Sequence, residues 1–310
     1  VNKAMMALKG GNAIIIAPSP SGWNTTNLTV ELMREELEKT GAPVDLIQIL
    51  PNPVTKELTG ALMKVVDLIV VTGSQNNVRS AYSSGTPAIG VGAGNVPVII
   101  DDSADLTDAA QKICASKIFD NATSCSSENS VTIIDAVYDD AIKALEAAGG
   151  YLCPPAEVAK VKDTLWKNDK LNRHIIAKDP DIFAEACGLS EAAKSAKFFM
   201  VEDKGTGPDR PFSGEKLSLA LTIYRAADFK AAKKQVQDVM DYQGAGHSVG
   251  IHTADGAHYR ELAEDLKVVR VLVNQAHTFG NGGSFTNGLE FTLSMGCGTW
   301  AGNSISENLN

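Results

Sequence analysis

Cys125 lies in Phe119-Asp-Asn-Ala-Thr-Ser-Cys-Ser-Ser-Glu-Asn-Ser130, a run of small polar residues between two apolar, periodic segments. A nucleophilic thiol must be reachable by a substrate and must reach its thiolate form. It therefore needs small neighbours, nearby hydrogen-bond donors and little apolar cover. Ala122, Thr123, Ser124, Ser126 and Ser127 supply that setting. The competing reading is a small residue packed in a polar turn, which is how most cysteines outside disulfides behave. That reading is the better one for Cys114 on the apolar face of a helical run, Cys187 before Gly188, Cys153 before two prolines and Cys297 in a glycine turn. Among five histidines, His247 in Gly244-Ala-Gly-His-Ser248 and His277 in a glycine-rich loop are the two that could face a cavity. His247 joins Cys125 as a catalytic candidate, although for any single histidine a structural or solvated role is commoner. His174, His252 and His258 read as surface or strand residues, and nothing has the spacing of a metal-ligand set.

Strands and helices must present these residues. The apolar run from Ala13 to Ala17 is stopped by Pro18-Ser-Pro-Ser-Gly22 and followed by an amphipathic stretch over residues 24–40, which reads as strand, loop and helix. The unit recurs as strand 44–50 with helix 54–64, and strand 67–72 with helix 75–83. Strands 87–91 and 96–101 follow, and helix 106–117 leads into the cysteine loop. After Ser130 the alternation loosens: strands 131–135, 219–225, 249–253 and 268–274 are interleaved with helices 138–149, 157–167, 182–187, 227–241 and 258–266. Apolar strands alternating with helices predict a parallel sheet covered on both faces. The expected class is α/β: a doubly wound nucleotide-binding domain over 1–118, then an α/β catalytic domain over 119–310 with the nucleophile loop at 119–130. In such sheets ligands sit beyond the carboxyl ends of strands, which points to the loops after Ala17 and Thr72. In Thr72-Gly-Ser74, glycine lets backbone approach a phosphate and a helix N-terminus favours an anion, though an ordinary capped turn has the same sequence. Gly90-Val-Gly-Ala-Gly-Asn95 is not a dinucleotide fingerprint, because its spacing differs from GxGxxG and a strand follows it.

With 310 residues, 44% of them hydrophobic, the chain can bury a core of about two domains. A net charge of −9 without Lys/Arg clusters argues against a nucleic-acid surface. Five irregularly spaced cysteines suit a reducing compartment, and no apolar run reaches the span of a bilayer. The expected location is cytoplasmic, with neither membrane nor nucleic acid as partner. The start at Val1 and the end at Asn310 suggest a piece of a longer protein.

Several segments together carry a resemblance: Gly85-Thr-Pro-Ala-Ile-Gly-Val-Gly-Ala-Gly-Asn-Val-Pro97, Ser116-Lys-Ile-Phe-Asp-Asn121, Ser124-Cys-Ser-Ser-Glu128, Phe212-Ser-Gly-Glu-Lys-Leu-Ser218 and the stretch from Leu293 to Asn308. In this order they resemble the CoA-acylating branch of the aldehyde dehydrogenase superfamily, over nearly the whole chain. The resemblance implies an NAD(P)-binding domain first, and a catalytic domain in which Cys125 attacks an aldehyde, gives up hydride to the nicotinamide and is left as a thioester. It implies Glu215 at the nicotinamide ribose, Thr72, Gly73 and Ser74 at the pyrophosphate, Ala17, Pro18 and Ser19 at the edge of the adenosine site, and Gly92 among the cofactor contacts. It also implies a homodimer or homotetramer.

Hydrolytic relatives carry a glutamate where this chain has Gly90. Without that base, water is a poor acceptor and the thiol of coenzyme A takes the acyl group. Asn121 to Asn129 and Asn274 to His277 are more similar to the sulfoacetaldehyde-acylating members than to the acetaldehyde enzymes. Asn121, Ser124, Ser126 and a protonated His277 are thus the expected sulfonate contacts. The loop Pro18-Ser-Pro-Ser21 has neither an acid to bind a ribose 2′-hydroxyl nor a cation to hold a 2′-phosphate, leaving NADP or NAD open. The family carries about a hundred further residues before the point matching Val1, including an oxyanion-hole asparagine, and a C-terminal tail. The alternatives are an acetaldehyde or propionaldehyde acylating enzyme, an acyl-phosphate reductase of the same fold, a non-catalytic structural paralogue and a Cys–His hydrolase.

Overall fold

A computed structural model describes residues 1–73, 75–91 and 94–291. Ser74, Gly92, Cys297 and the Leu293 to Asn308 stretch lie outside the described residues. The chain forms two compact units, Val1–Val91 and Gly92–Phe291.

The first unit contains α1 (Asn2–Lys9), β1 (Ile14–Ile16), α2 (Trp23–Lys39), β2 (Ile47–Ile49), α3 (Lys56–Met63), β3 (Ile69–Thr72), α4 (Gln75–Tyr82) and β4 (Ala88–Val91). β1 pairs with β2 in parallel, Ile14 opposite Ile47, and β3 with β4, Ile69 opposite Ala88. Helical spacing turns Val30, Met33 and Leu37 of α2 onto Ala4, Ile14 and Ile47, forming a small core. Thr55 starts α3 by accepting the Leu58 N–H at 3.1 Å.

The second unit is built on β5 (Val96–Ile100), α5 (Leu106–Ile118), β6 (Glu128–Ile134), α6 (Tyr138–Ala147), β7 (Gly150–Leu152), α7 (Pro155–Leu165), a small hairpin of β8 (Trp166–Lys167) and β9 (Lys170–Leu171), α8 (Pro180–Cys187), β10 (Phe198–Glu202), β11 (Ala220–Ala226), α9 (Phe229–Tyr242), β12 (Gly246–His252), α10 (Gly256–Asp265), β13 (Val268–Val273) and α11 (His277–Asn281). Seven of its strands form one sheet in the order β13-β12-β5-β6-β11-β10-β7. Every neighbouring pair in that sheet is parallel. β5 and β6 are buried along their whole length, as expected of central strands covered on both faces.

The units divide after Val91 and not after residue 118, because β5 pairs with β6 and β12, Val98 lying opposite both Val131 and Gly250. An apolar strand reveals that it is buried but not which sheet buries it. β7 and β10, which complete one edge of the sheet, are absent from the predicted strands. β6 starts three residues before the predicted position, directly after the cysteine turn. Among the described residues no helix is long and apolar enough to cross a membrane.

Candidate active site

α5 runs toward the nucleophile loop from the Asp105 cap, whose carboxylate accepts the Asp108 N–H. It ends where Asp120, Asn121 and Ala122 take left-handed φ of 50°, 48° and 59°. Such backbone costs about 1–3 kcal/mol per residue and persists only where its surroundings hold it. Here the Thr123 hydroxyl donates to the Asp120 carbonyl and carboxylate at 2.5 and 2.7 Å, and the Asn121 amide donates to the Ala177 carbonyl at 3.2 Å and to Asp179 Oδ1 at 2.6 Å. The Ser127 N–H donates to the Ser124 carbonyl at 3.0 Å, closing a turn with Cys125 and Ser126 at its centre. Cys125 is half-buried.

One segment packs against this turn, and two more pack against that segment. A Cβ on Gly94 would stand 1.9 Å from the Cys125 carbonyl oxygen, so only glycine allows the approach. The Gly94 N–H donates to Glu215 Oε1 at 2.9 Å. Buried Asn95 donates from its amide to the carbonyls of Ser213 and Gln243, both at 2.9 Å. The Gln243 side chain accepts the Glu215 N–H at 3.0 Å. A Cβ on Gly244, at φ 97°, would come within 2.6 Å of the Gly94 carbonyl oxygen. Gly94–Asn95, the cysteine turn, Gly214–Glu215 and Gln243–Gly244 are the entries to β5, β6, β11 and β12, which are consecutive in the sheet. Cys125 therefore stands at the amino ends of the strands in this unit.

Buried polar groups lie beneath the turn. The fully buried Lys216 ammonium donates to the carbonyls of Phe212 and Gly214 at 2.8 and 3.0 Å, and the Lys216 N–H donates to Asn129 Oδ1 at 2.9 Å, joining the segments that carry Glu215 and Cys125. Lys117 donates to the Glu128 carbonyl at 2.8 Å. Burial pushes the Lys117 ammonium down and the Glu128 carboxyl up, each toward neutrality. Burial also raises the Glu215 carboxyl, and its field includes Cys125, which raises it further, and His247, which lowers it.

His247, at the start of β12, is buried, and its Nδ1 lies 2.6 Å from Ser248 Oγ. The same hydroxyl lies 2.8 Å from His277 Nε2, and the His277 N–H donates to Glu128 Oε1 at 3.1 Å.

Cys125, Glu215 and His247 are thus brought into one neighbourhood, whereas the expected sulfonate contacts are not. His277 is enclosed, and burial holds its imidazole well below its ordinary pKa, so it offers no positive charge. Asn121 commits its amide donor to Ala177 and Asp179, and buried Ser126 accepts from Asn281 at 2.8 Å. Ser124 remains half-buried beside the thiol, with its oxygen accepting the Ser126 N–H. Cys114, Cys153 and Cys187 are buried, and burial pushes the last two thiols up to about 12 and about 11. Sequence reasoning missed Gly94, Asn95, Asn129, Lys216, Gln243 and Ser248. The clustered glycines of residues 90–95 and 244–246 were the available signal, each marking a close backbone approach.

In the first unit, the Ser19 hydroxyl accepts the Gly22 N–H after Ala17 and Pro18. Thr72 accepts from Lys3 at 3.1 Å, and Gly73, at φ 134°, turns the chain toward α4. A Cβ on Gly90 would meet Val78 Cγ1 at 2.7 Å and the Tyr82 ring at 2.9 Å, while the Gly90 N–H donates to the Tyr82 hydroxyl at 2.9 Å.

The sequence profile described as "Aldehyde dehydrogenase family" matches residues 1–152. The chain is 52% identical over 309 residues to a sulfoacetaldehyde dehydrogenase (acylating) of Cupriavidus necator, covering 99% of this chain and 63% of that protein. It is 44% identical to one of Bilophila wadsworthia, covering 99% of this chain and 67% of the relative. The crystal structure of an acetylating aldehyde dehydrogenase from Geobacillus thermoglucosidasius is similar with a TM-score of 0.94 and 36% identity, over 99% of this chain and 68% of the other. The chain thus spans roughly two thirds of its relatives' length, and in sequence and fold it belongs to the aldehyde dehydrogenase family, in its acylating branch.

Proposed function

We propose that the whole protein oxidises a small aldehyde, sulfoacetaldehyde, to its acyl-CoA with NADP or NAD. The observation that carries this reading is the Cys125 turn, in which the backbone of the half-buried Cys125 lies against Gly94 and Glu215 accepts the same Gly94 N–H. The names and identities of the relatives from Cupriavidus necator and Bilophila wadsworthia support the aldehyde.

The cofactor reading fits the residues present. Gly73 turns the chain at the carboxyl end of β3 ahead of the eight-residue α4, and Ala17, Pro18 and Ser19 occupy the equivalent place after β1. These would hold phosphate and adenosine, Glu215 the nicotinamide ribose. When bound, the nicotinamide supplies the acceptor for one hydride, which carries both electrons of the oxidation. The Cys125 thiolate adds to the aldehyde carbon, a C–S bond forming as the carbonyl electron pair moves to oxygen. Re-forming the C=O bond expels hydride and leaves a thioester on Cys125. The thiolate of coenzyme A then displaces Cys125, its proton passing to solvent.

Gly90 supports thiolysis over hydrolysis. Where hydrolytic relatives carry a glutamate, Val78 and Tyr82 fill the space a side chain would need, so no carboxylate stands there to activate water. Catalysis by a thiolate suits a reducing cytoplasm, and sedimentation of the full-length protein tests the homodimer or homotetramer implied by the family.

The test is the rate of nicotinamide reduction with sulfoacetaldehyde and with acetaldehyde, with and without coenzyme A, in the full-length protein and its Cys125→Ala variant. CoA-dependent turnover with sulfoacetaldehyde, falling by at least about 10,000-fold in the variant, is expected. Preference for acetaldehyde discards the sulfonate substrate, and turnover without coenzyme A discards acyl transfer.

A further inference from the structure

The chain enters Glu215 through one tight turn, Pro211–Ser213 and the Gly214 that follows, ahead of β11. Three consecutive carbonyls of this turn are each taken by a buried side chain. The Phe212 carbonyl accepts from Lys216 Nζ at 2.8 Å and from the Thr222 hydroxyl at 2.7 Å. The Ser213 carbonyl accepts from the Asn95 amide at 2.9 Å, and the Gly214 carbonyl from Lys216 Nζ at 3.0 Å. Side chains thus do here what a neighbouring strand does in a sheet.

A fully buried lysine is costly unless something offsets it. Among the described residues Lys216 forms no ion pair, and its nitrogen donates only to the carbonyls on either side of Ser213. The Gly214 carbonyl belongs to the same peptide group as the Glu215 N–H, which donates to Gln243 Oε1 at 3.0 Å. Lys216 and Gln243 therefore hold the two ends of one peptide. Because a peptide is planar, gripping both ends fixes its plane and the direction in which Glu215 sets out its side chain. The turn has no slack to take up, since a Cβ on Gly214 would come within 2.7 Å of Gln243 Oε1. Glu215 Oε1 in turn accepts the N–H of Gly94, the residue whose Cβ would strike the Cys125 carbonyl.

We propose that Lys216 is a positioning residue for nicotinamide binding: by holding the Phe212 and Gly214 carbonyls it fixes the peptide that aims the Glu215 carboxylate at the cofactor ribose. The inference deepens the proposed function and rests on the role given there to Glu215. Lys216 is enclosed, so it acts through Glu215 and not by contact with cofactor or aldehyde.

The experiment is a double-mutant cycle in the full-length protein, read as the dissociation constant of the reduced nicotinamide cofactor from its fluorescence, with no aldehyde present. Lys216→Met keeps the length and apolar stem of the side chain and removes its donors. It should weaken cofactor binding about tenfold, the scale of one well-placed hydrogen bond. In a Glu215→Ala background, which itself binds more weakly, the same change should cost less than about twofold, because residues acting as one unit are not additive. Alkylation of Cys125 by iodoacetamide, followed by mass spectrometry, should keep its rate in Lys216→Met within about twofold, since the Asn129 contact comes from the Lys216 backbone and survives. An equal loss of affinity in both backgrounds makes the lysine a general support and overturns the inference. So does an unchanged affinity, or an alkylation rate that falls as far as the affinity. Where Lys216→Met gives no soluble protein, Lys216→Gln, polar but one atom too short to span both carbonyls, goes through the same cycle under the same criteria. A wild type that binds no nicotinamide removes the proposed function, and with it the inference. A Glu215→Ala variant that binds as well as wild type removes the role of Glu215, whereas additivity with both of these intact removes only the role of Lys216.

Discussion

At the scale of single residues, the site depends on what is missing as much as on what is present. The reaction proposed at Cys125 needs its turn to be held, and the turn has room because Gly94 has no side chain: a Cβ there would lie 1.9 Å from the Cys125 carbonyl oxygen. Gly94→Ala must displace either the turn or the segment that places Glu215. It should lower stability by about 1–3 kcal/mol, as overpacking does, and activity by about 100-fold, since small misplacements of reacting groups are costly. A denaturant melt and the initial rate check the two parts. Unchanged values for both would mean that the turn yields without cost. Cys153 and Cys187 do not compete with Cys125, because burial pushes their thiols up to about 12 and about 11.

At the scale of elements, four loops entering adjacent parallel strands form the site, and each is tied to the next by buried amides and carbonyls. The weakest tie by burial is Asn121, whose exposed contacts to Ala177 and Asp179 support three left-handed residues between α5 and the cysteine turn. Asn121→Ala removes both contacts and puts a residue poorly suited to φ 48° in their place. The expected result is a fall in kcat of about tenfold with little change in KM for the aldehyde, because the amide positions the loop and its donors are already used. A rise in KM alone would return Asn121 to the substrate. That distinction follows from the fold and not from the residue type, since an asparagine beside a nucleophile has the same sequence whether it binds substrate or backbone.

For the whole molecule, the buried charges under the site couple folding to pH. Burial raises the Glu128 carboxyl from 4.5 to about 7 and lowers the Lys117 ammonium from 10.5 to about 7. The raised Glu128 contributes stability that is complete below pH 4.5 and is lost as pH climbs through about 7. The depressed Lys117 contributes stability that is complete above pH 10.5 and is lost as pH falls toward about 7. Their combined contribution is therefore smallest near neutrality. Glu128→Gln should flatten the limb between pH 4.5 and 7, whose slope from one proton is at most about 1.4 kcal/mol per pH unit. Denaturant titrations of wild type and variant across that range check it, and parallel curves would place the titration elsewhere.

The sequence by itself determined the α/β class, most of the elements and the setting of Cys125. Those properties are local: apolar runs of strand length, helical spacing such as Val30, Met33 and Leu37, and small polar neighbours around one thiol. The motifs from Gly85 to Ser218 carried the family resemblance, and with it the expectation for Glu215, which no periodicity singles out. Only the tertiary structure decided that β5 belongs to the second unit, that Gly90 and Gly94 are glycines for two different contacts, and that His277 is enclosed behind Ser248 and cannot face a sulfonate. Each of these depends on residues far apart in the chain meeting at a few ångströms. Strand partners, close backbone approach and the burial that neutralises an imidazole are properties of that meeting, and a single segment carries no record of them.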